Sequence, residues 1–465
     1  MITALLAISS TVHVARSNVI SANSRAMICM AHLSQVIQAA VIYVDVDASP
    51  GGDGESWATA FQSLQSGIDA ADTDGGDELW VADGIYYAPT ISFLDGFNLD
   101  RPVEIFGGFA GNETAFGQRD FVGNVTILSG DVGVVGVPND NRETVVRASF
   151  TDSPDLRLDG FTITGGIGTG GAGMNVSTHS SPTIANCRFV NNGILSTSTS
   201  SNGGAMNFNG TSSALIEDCV FEGNRARFGG GVWIQEPSQG DSAPTFRRCK
   251  FISNRALFRG GAVENHNYAT GGTLFLECRF ENNIAYVAPG ENRGGGAMSN
   301  DGGIAVLTNC VFFQNESAHK GGAIYNYNSG SLTLKSCTLA ENIAAWQAGG
   351  IWMQNGTMTL RNTVLWSNHD KDGTATSATQ FNDNGNSPDV KYSCIQDDTP
   401  GGSIPYGSGS PNFNIDTDPV FVNPSVGNLR LGSAGSGCVD TGNNSDVSGV
   451  STDIDGRMRI MDTTV

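Results

Sequence analysis

Six versions of one phrase decide the architecture: Cys187-Arg-Phe-Val-Asn-Asn192, Cys219-Val-Phe-Glu-Gly-Asn224, Cys249-Lys-Phe-Ile-Ser-Asn254, Cys278-Arg-Phe-Glu-Asn-Asn283, Cys310-Val-Phe-Phe-Gln-Asn315 and Cys337-Thr-Leu-Ala-Glu-Asn342. Successive cysteines stand 32, 30, 29, 32 and 27 residues apart. A Gly-Gly pair follows each asparagine and opens a second apolar run, as in Gly321-Gly-Ala-Ile-Tyr-Asn-Tyr327. Leu332, Leu334, Cys337 and Leu339 follow strand rather than helix periodicity, so a unit is strand, turn and strand. A propeller blade needs four strands in a longer repeat; units of about 30 residues fit one turn of a parallel β-helix.

In a parallel β-helix each coil lies about 4.8 Å above the last, so equivalent residues form columns. Cysteines 187, 219, 249, 278, 310 and 337 are expected inside as small apolar groups, with Phe189, Phe221, Phe251, Phe280 and Phe312 stacked two positions on. The asparagines are expected at a left-handed turn, their amides satisfying buried peptide groups as a ladder. Weaker coils continue the register through Leu360–Asn368 and Val390–Ile395, and upstream through Leu158–Gly166 and the strands Glu78–Ala82, Val103–Gly107, Val125–Leu128 and Thr144–Arg147. The expected fold is all-β, a right-handed parallel β-helix over residues 78–400.

A solenoid lengthens without thickening its core, so 465 residues suit one long body with caps. The 61 glycines, 15% charged and 39% apolar residues describe a turn-rich chain that still buries a narrow core. A net charge of −21 and scattered Lys and Arg argue against nucleic acid as a partner. Six of the nine cysteines follow the repeat and no Cys-x-x-Cys occurs, which argues against metal and for buried thiols. Cys29, Cys394 and Cys438 have no evident partner in the sequence.

Residues 1–42 are expected to be a leader for export, and no apolar run is long enough for a spanning helix. In 43–77, Trp57, Phe61, Leu64, Ile68 and Ala71 share a helical face behind Ser56, predicting an amphipathic helix that caps the open N-terminal end. Residues 401–465 are expected to form an irregular C-terminal cap.

The Phe-x-x-Asn and Gly-Gly-Ala-apolar motifs alternate, the latter at 203–206, 260–263, 295–298 and 321–324. With Tyr43-Val-Asp45, Ile105-Phe-Gly-Gly-Phe-Ala-Gly111 and Asp453-Ile-Asp-Gly456, they give a chain that resembles secreted bacterial right-handed β-helix proteins with polymorphic outer-membrane protein repeats. That resemblance implies a passenger displayed at the cell surface or outer membrane and associated with adhesion. No barrel translocator follows, which suggests truncation before an anchor.

With Ile324 and its equivalents pointing inward, the next outward column holds Asn207, Trp233, Glu264, Ser299, Tyr325 and Trp352. Two residues on come Asn209, Gln235, His266, Asp301, Tyr327 and Gln354. Trp233, Tyr325, Tyr327 and Trp352 are candidates to stack on sugar rings, while Glu264, His266 and Asp301 are where acid–base chemistry would sit. Asp453 and Asp455 are the strongest of the weak calcium candidates, and no other cofactor is expected. The sequence therefore reads as an exported, monomeric, surface-exposed passenger, structural or adhesive, with a glycan or cell-surface ligand. The rival reading is a polysaccharide lyase or glycoside hydrolase acting on acidic polysaccharide.

Overall fold

The computed structural model describes residues 40–457 apart from 73–75, 92–93, 150–155, 178–179, 195–200, 236–242, 267–271, 287–292, 372, 374–375, 400–402, 433–435, 440 and 448–451. The expected leader lies, except for its last residues, outside the described part.

Three long parallel ladders run the length of the body. The first has 12 strands, from Val41–Val44 to Asp389–Lys391; the second has 11, from Gly84–Tyr87 to Cys394–Ile395; the third has 10, from Phe97–Leu99 to Phe381–Asn382. A fourth, of five short strands, runs from Arg225–Phe228 to Ile343–Ala344. One coil visits them in turn: Ile304–Thr308 in the first, Val311–Phe313 in the second, Glu316–Ser317 in the fourth and Ile324–Tyr327 in the third. This is the parallel solenoid the repeat predicts.

Columns form where the spacing places them. Phe189, Phe221, Phe251, Phe280 and Phe312 pair strand to strand, and their rings stack at 5.1, 4.8, 4.7 and 4.5 Å within 7° of parallel. Leu339, Leu365 and Ile395 continue the column. The six repeat cysteines are buried as thiols, and each Sγ donates to a carbonyl of the preceding coil, as from Cys249 to Ile216 at 3.4 Å. Burial pushes Cys219 and Cys278 well above the usual thiol range.

The amide ladder runs from Asn192 through Asn224, Asn254, Asn283, Asn315 and Asn342 to Asn368, all wholly buried. Asn283 shows the pattern. Its Nδ2 donates to Phe251 O at 2.9 Å and Asn315 Oδ1 at 2.9 Å, and its Oδ1 accepts from the backbone and side-chain nitrogens of Asn254 at 3.0 Å. Gln380 closes the ladder by accepting from Asn368 Nδ2 at 2.7 Å.

The left-handed turn falls one residue earlier than expected. Asn191, Gly223, Ser253, Asn282, Gln314, Glu341 and Ser367 carry it, with φ from 52° to 65°. Placing the positive φ before the asparagine swings the next side chain inward, where its amide meets the backbone. At the Gly-Gly corner the first glycine is left-handed, and a Cβ on Gly321 would come within 2.2 Å of Ile324 O.

The N-terminal helix is shorter than the periodicity suggests. Trp57–Thr59 is a single 3-10 turn, and the α-helix spans Leu64–Ala70 behind Ser63, whose side chain accepts from Ser66 N. Leu64 and Ile68 reach the core beside Val44 and Leu79. Gly67 permits that approach, since a Cβ there would meet Val44 Cγ2 at 2.6 Å. Trp57 instead packs edge-on against Tyr43 at 4.8 Å.

The tail returns along the second sheet. Asn362 exchanges two hydrogen bonds with Asn443, at 2.9 and 2.8 Å, and Asn309 Nδ2 donates to Thr452 O at 3.1 Å.

Candidate functional site

The third sheet holds the candidate residues. Its register sets Asn207, Trp233, Glu264, Ser299, Tyr325 and Trp352 in one column, and Asp301 beside Tyr327 two positions on. The residues between them point inward. There Asn265, Asn300 and Asn326 form a second amide ladder, with Nδ2-to-Oδ1 links of 2.7 Å between successive coils. Its signal was three identical residues, each two positions after the inward Val263, Met298 and Ile324.

Glu264, His266 and Asp301 converge, and an arginine joins them. Arg259 Nε donates to Glu264 Oε1 at 2.7 Å, and its Nη2 to Asp301 Oδ2 at 3.2 Å. His266 Nδ1 lies 3.0 Å from Asp301 Oδ2, and Asn328 Nδ2 donates to Asp301 Oδ1 at 2.6 Å. Glu264 is wholly buried and Asp301 nearly so, while the His266 side chain is 33% exposed. Arg259 occupies the register position of Phe228 one coil earlier, so an arginine where its neighbour has an aromatic residue was the signal available in the sequence.

The environment separates the two carboxyls. Burial raises Glu264 above the usual range, outweighing the opposing charge of Arg259. Burial would raise Asp301 too, but the His266 hydrogen bond, the nearby Tyr327 hydroxyl and the Arg259 charge hold it at about 2. The bond to Asp301 raises His266. Ligand atoms of Glu264, His266 and Asp301 lie within 4.8 Å of one another, a spacing compatible with three metal ligands. The guanidinium of Arg259 already bridges both carboxylates, so a metal ion would compete with it for the same oxygens.

The aromatic candidates are covered rather than open: Trp233, Tyr325, Tyr327 and Trp352 are all buried. Trp233 stacks on His266 at 5.8 Å. The Lys320 ammonium sits 3.9 Å from the Trp352 ring and 4.9 Å from that of Trp346, which is 41% exposed. Along this strip six buried polar atoms have no hydrogen-bond partner among the described residues: Asn207 Oδ1, Trp233 Nε1, Glu264 Oε2, Ser299 Oγ, Tyr327 Oη and Trp352 Nε1. The Tyr327 hydroxyl approaches Asp301, and Ser299 approaches Glu264, without reaching good hydrogen-bond geometry.

The calcium candidates lie elsewhere, in an exposed turn of the tail. Asp453 Oδ1 accepts from the backbone of Asp455 and Arg457, and Asp455 pairs with Arg430 at 2.7 Å. Among the described residues no helix is long and apolar enough to cross a membrane.

Comparison with known proteins agrees with this architecture. The family described as the right-handed β-helix region matches residues 122–290, and the Chlamydia polymorphic membrane protein repeat matches residues 309–327. No curated protein matches in sequence. Pectate lyase Pel9A is similar in structure with a TM-score of 0.49 and 12% identity, over 92% of this chain and 89% of that one. A rhamnogalacturonan lyase is similar with a TM-score of 0.37 and 14% identity, over 90% and 99%. With its parallel ladders and the matched region, this chain is a right-handed β-helix protein in which residues 309–327 match the polymorphic membrane protein repeat.

Proposed function

We propose that the protein is a surface-displayed passenger that binds glycan along the outer strip of its third sheet without turning it over. The row of six polar atoms without a partner among the described residues, set between aromatic rings, carries this reading. A buried polar group without a partner costs about 1–3 kcal/mol, and a polyhydroxylated ligand would supply alternating donors and acceptors. Lys320, beside Trp346 and Trp352, offers a cation for a sugar carboxylate.

The carboxylates fit a supporting role better than a reactive one. Arg259 holds both carboxylates, through Nε on Glu264 Oε1 and Nη2 on Asp301 Oδ2, whereas a general acid or base must be free to exchange a proton with the substrate. One observation favours the rival lyase or hydrolase: two adjacent carboxyls driven apart in acidity suit acid–base work.

Screening glycan arrays and uronate polymers with wild type and Glu264→Ala separates the two. Retention of a glycan with no released product supports the passenger. Unsaturated or hydrolysed product from wild type, lost in the variant, overturns it.

A further inference from the structure

Cysteine occurs in two settings in this molecule. In the repeat column each wholly buried thiol is directed at a carbonyl one coil away, at 3.4–3.5 Å. These thiols are 0–1% exposed, so an oxidant arriving from solvent does not reach a sulfur of the column. Cys394 and Cys438 stand differently. They lie 44 positions apart, yet both donate to one acceptor, Thr417 O, at 3.2 Å from Cys394 Sγ and 3.6 Å from Cys438 Sγ.

Both also line one cleft of about 410 Å³ with Tyr392, Phe413 and Ile415, and Cys438 is the one of the two that is partly exposed. The surrounding chain is pinned on each side. Cys394 pairs in parallel with both Val364 and Ile415, and the segment after Cys438 is tied to the body by the two Asn362–Asn443 bonds.

We propose that Cys394 and Cys438 form a disulfide when the protein meets a disulfide-bearing oxidant, stapling the tail to the last coil. Cys438 is the half-exposed partner and attacks first. Its thiolate displaces one thiolate from the oxidant, giving a mixed disulfide. Cys394 then gives up its proton to solvent, and its sulfur attacks the Cys438 sulfur and expels the second thiolate. The balance is two S–H bonds lost, one S–S bond gained and one oxidant disulfide reduced to two thiols. The acidities agree with this order: contact with Cys394 lowers Cys438, while contact with Cys438, then burial, raises Cys394.

The test treats the full chain with oxidised glutathione, blocks thiols with iodoacetamide before and after denaturation, and maps the peptides. The expected result is one cross-linked peptide pair containing Cys394 and Cys438, with the six repeat cysteines alkylated only after denaturation. Cys438→Ser should keep the circular dichroism and melting profile of the reduced wild type. The oxidised wild type should be cut within 403–432 about tenfold more slowly than that variant. Full alkylation of both cysteines after oxidation, or a stable bridge from either to Cys29 or glutathione, overturns the proposal.

Discussion

From Asn192 to Asn368 successive coils present the same amide at the same point, whereas the outward column of the third sheet runs Asn207, Trp233, Glu264, Ser299, Tyr325, Trp352. Both regions obey one parallel register. At the amide ladder, each side chain completes backbone hydrogen bonds of two coils, so any other residue orphans several buried groups. On the third sheet, the outward atoms have no such duty, and chemistry varies from coil to coil. Repetition marks what the solenoid needs in order to stack, and departure from repetition marks where the proposed ligand strip lies.

Replacing a central ladder residue should have the largest effect. Asn283→Ala strips partners from Asn254, Phe251 O and Asn315, and is expected to cost about 4 kcal/mol in urea unfolding. An effect below about 1 kcal/mol would erase the distinction between the regions. Next comes Arg259→Leu, which leaves Glu264 and Asp301 buried without their shared cation; about 3 kcal/mol is expected, largely recovered when both acids are also made amides. No recovery would mean that packing rather than charge dominates there.

The same cluster sharpens the contrast through pH. Asp301 is depressed to about 2, so its contribution, on the order of 2 kcal/mol, is present above about pH 4 and lost as pH falls toward 2. His266 is raised, so its contribution is full below about pH 6.5 and disappears as pH rises through its folded value. Glu264, also raised, acts opposite to Asp301, because ionisation inside the fold becomes a cost as pH rises. Thermal melts should therefore peak between about pH 4 and 6.5, and His266→Gln should flatten the alkaline side. The smallest effect belongs to the exposed pair Arg188–Glu222 on the second sheet, where Arg188→Ala should change stability by about 0.5 kcal/mol or less.

The cysteine, phenylalanine and asparagine columns were legible because repetition at 27–32 residues leaves few alternatives to stacking. The gathering of Glu264, His266 and Asp301 was legible for the same reason, since adjacent coils bring equivalent positions together. Arg259 was not: it stands on the short fourth ladder, reaches across the Gly-Gly corner, and looks like a solvated charge in the sequence. Nor was the burial of Trp233, Tyr325 and Trp352, because alternation reports which face a residue takes, not what covers that face. The Cys394–Cys438 convergence depends on the tail folding back along the body, a contact that carries no periodic signal.

Calorimetric titration of an oligouronate into wild type and Trp352→Phe tests the central claim most directly, because the substitution removes an unpartnered Nε1 donor while keeping an aromatic ring beside Lys320. If that donor serves a glycan, affinity should fall about tenfold while the fold stays intact. Equal affinity in the two proteins, or no binding to either, would contradict a ligand strip on the third sheet.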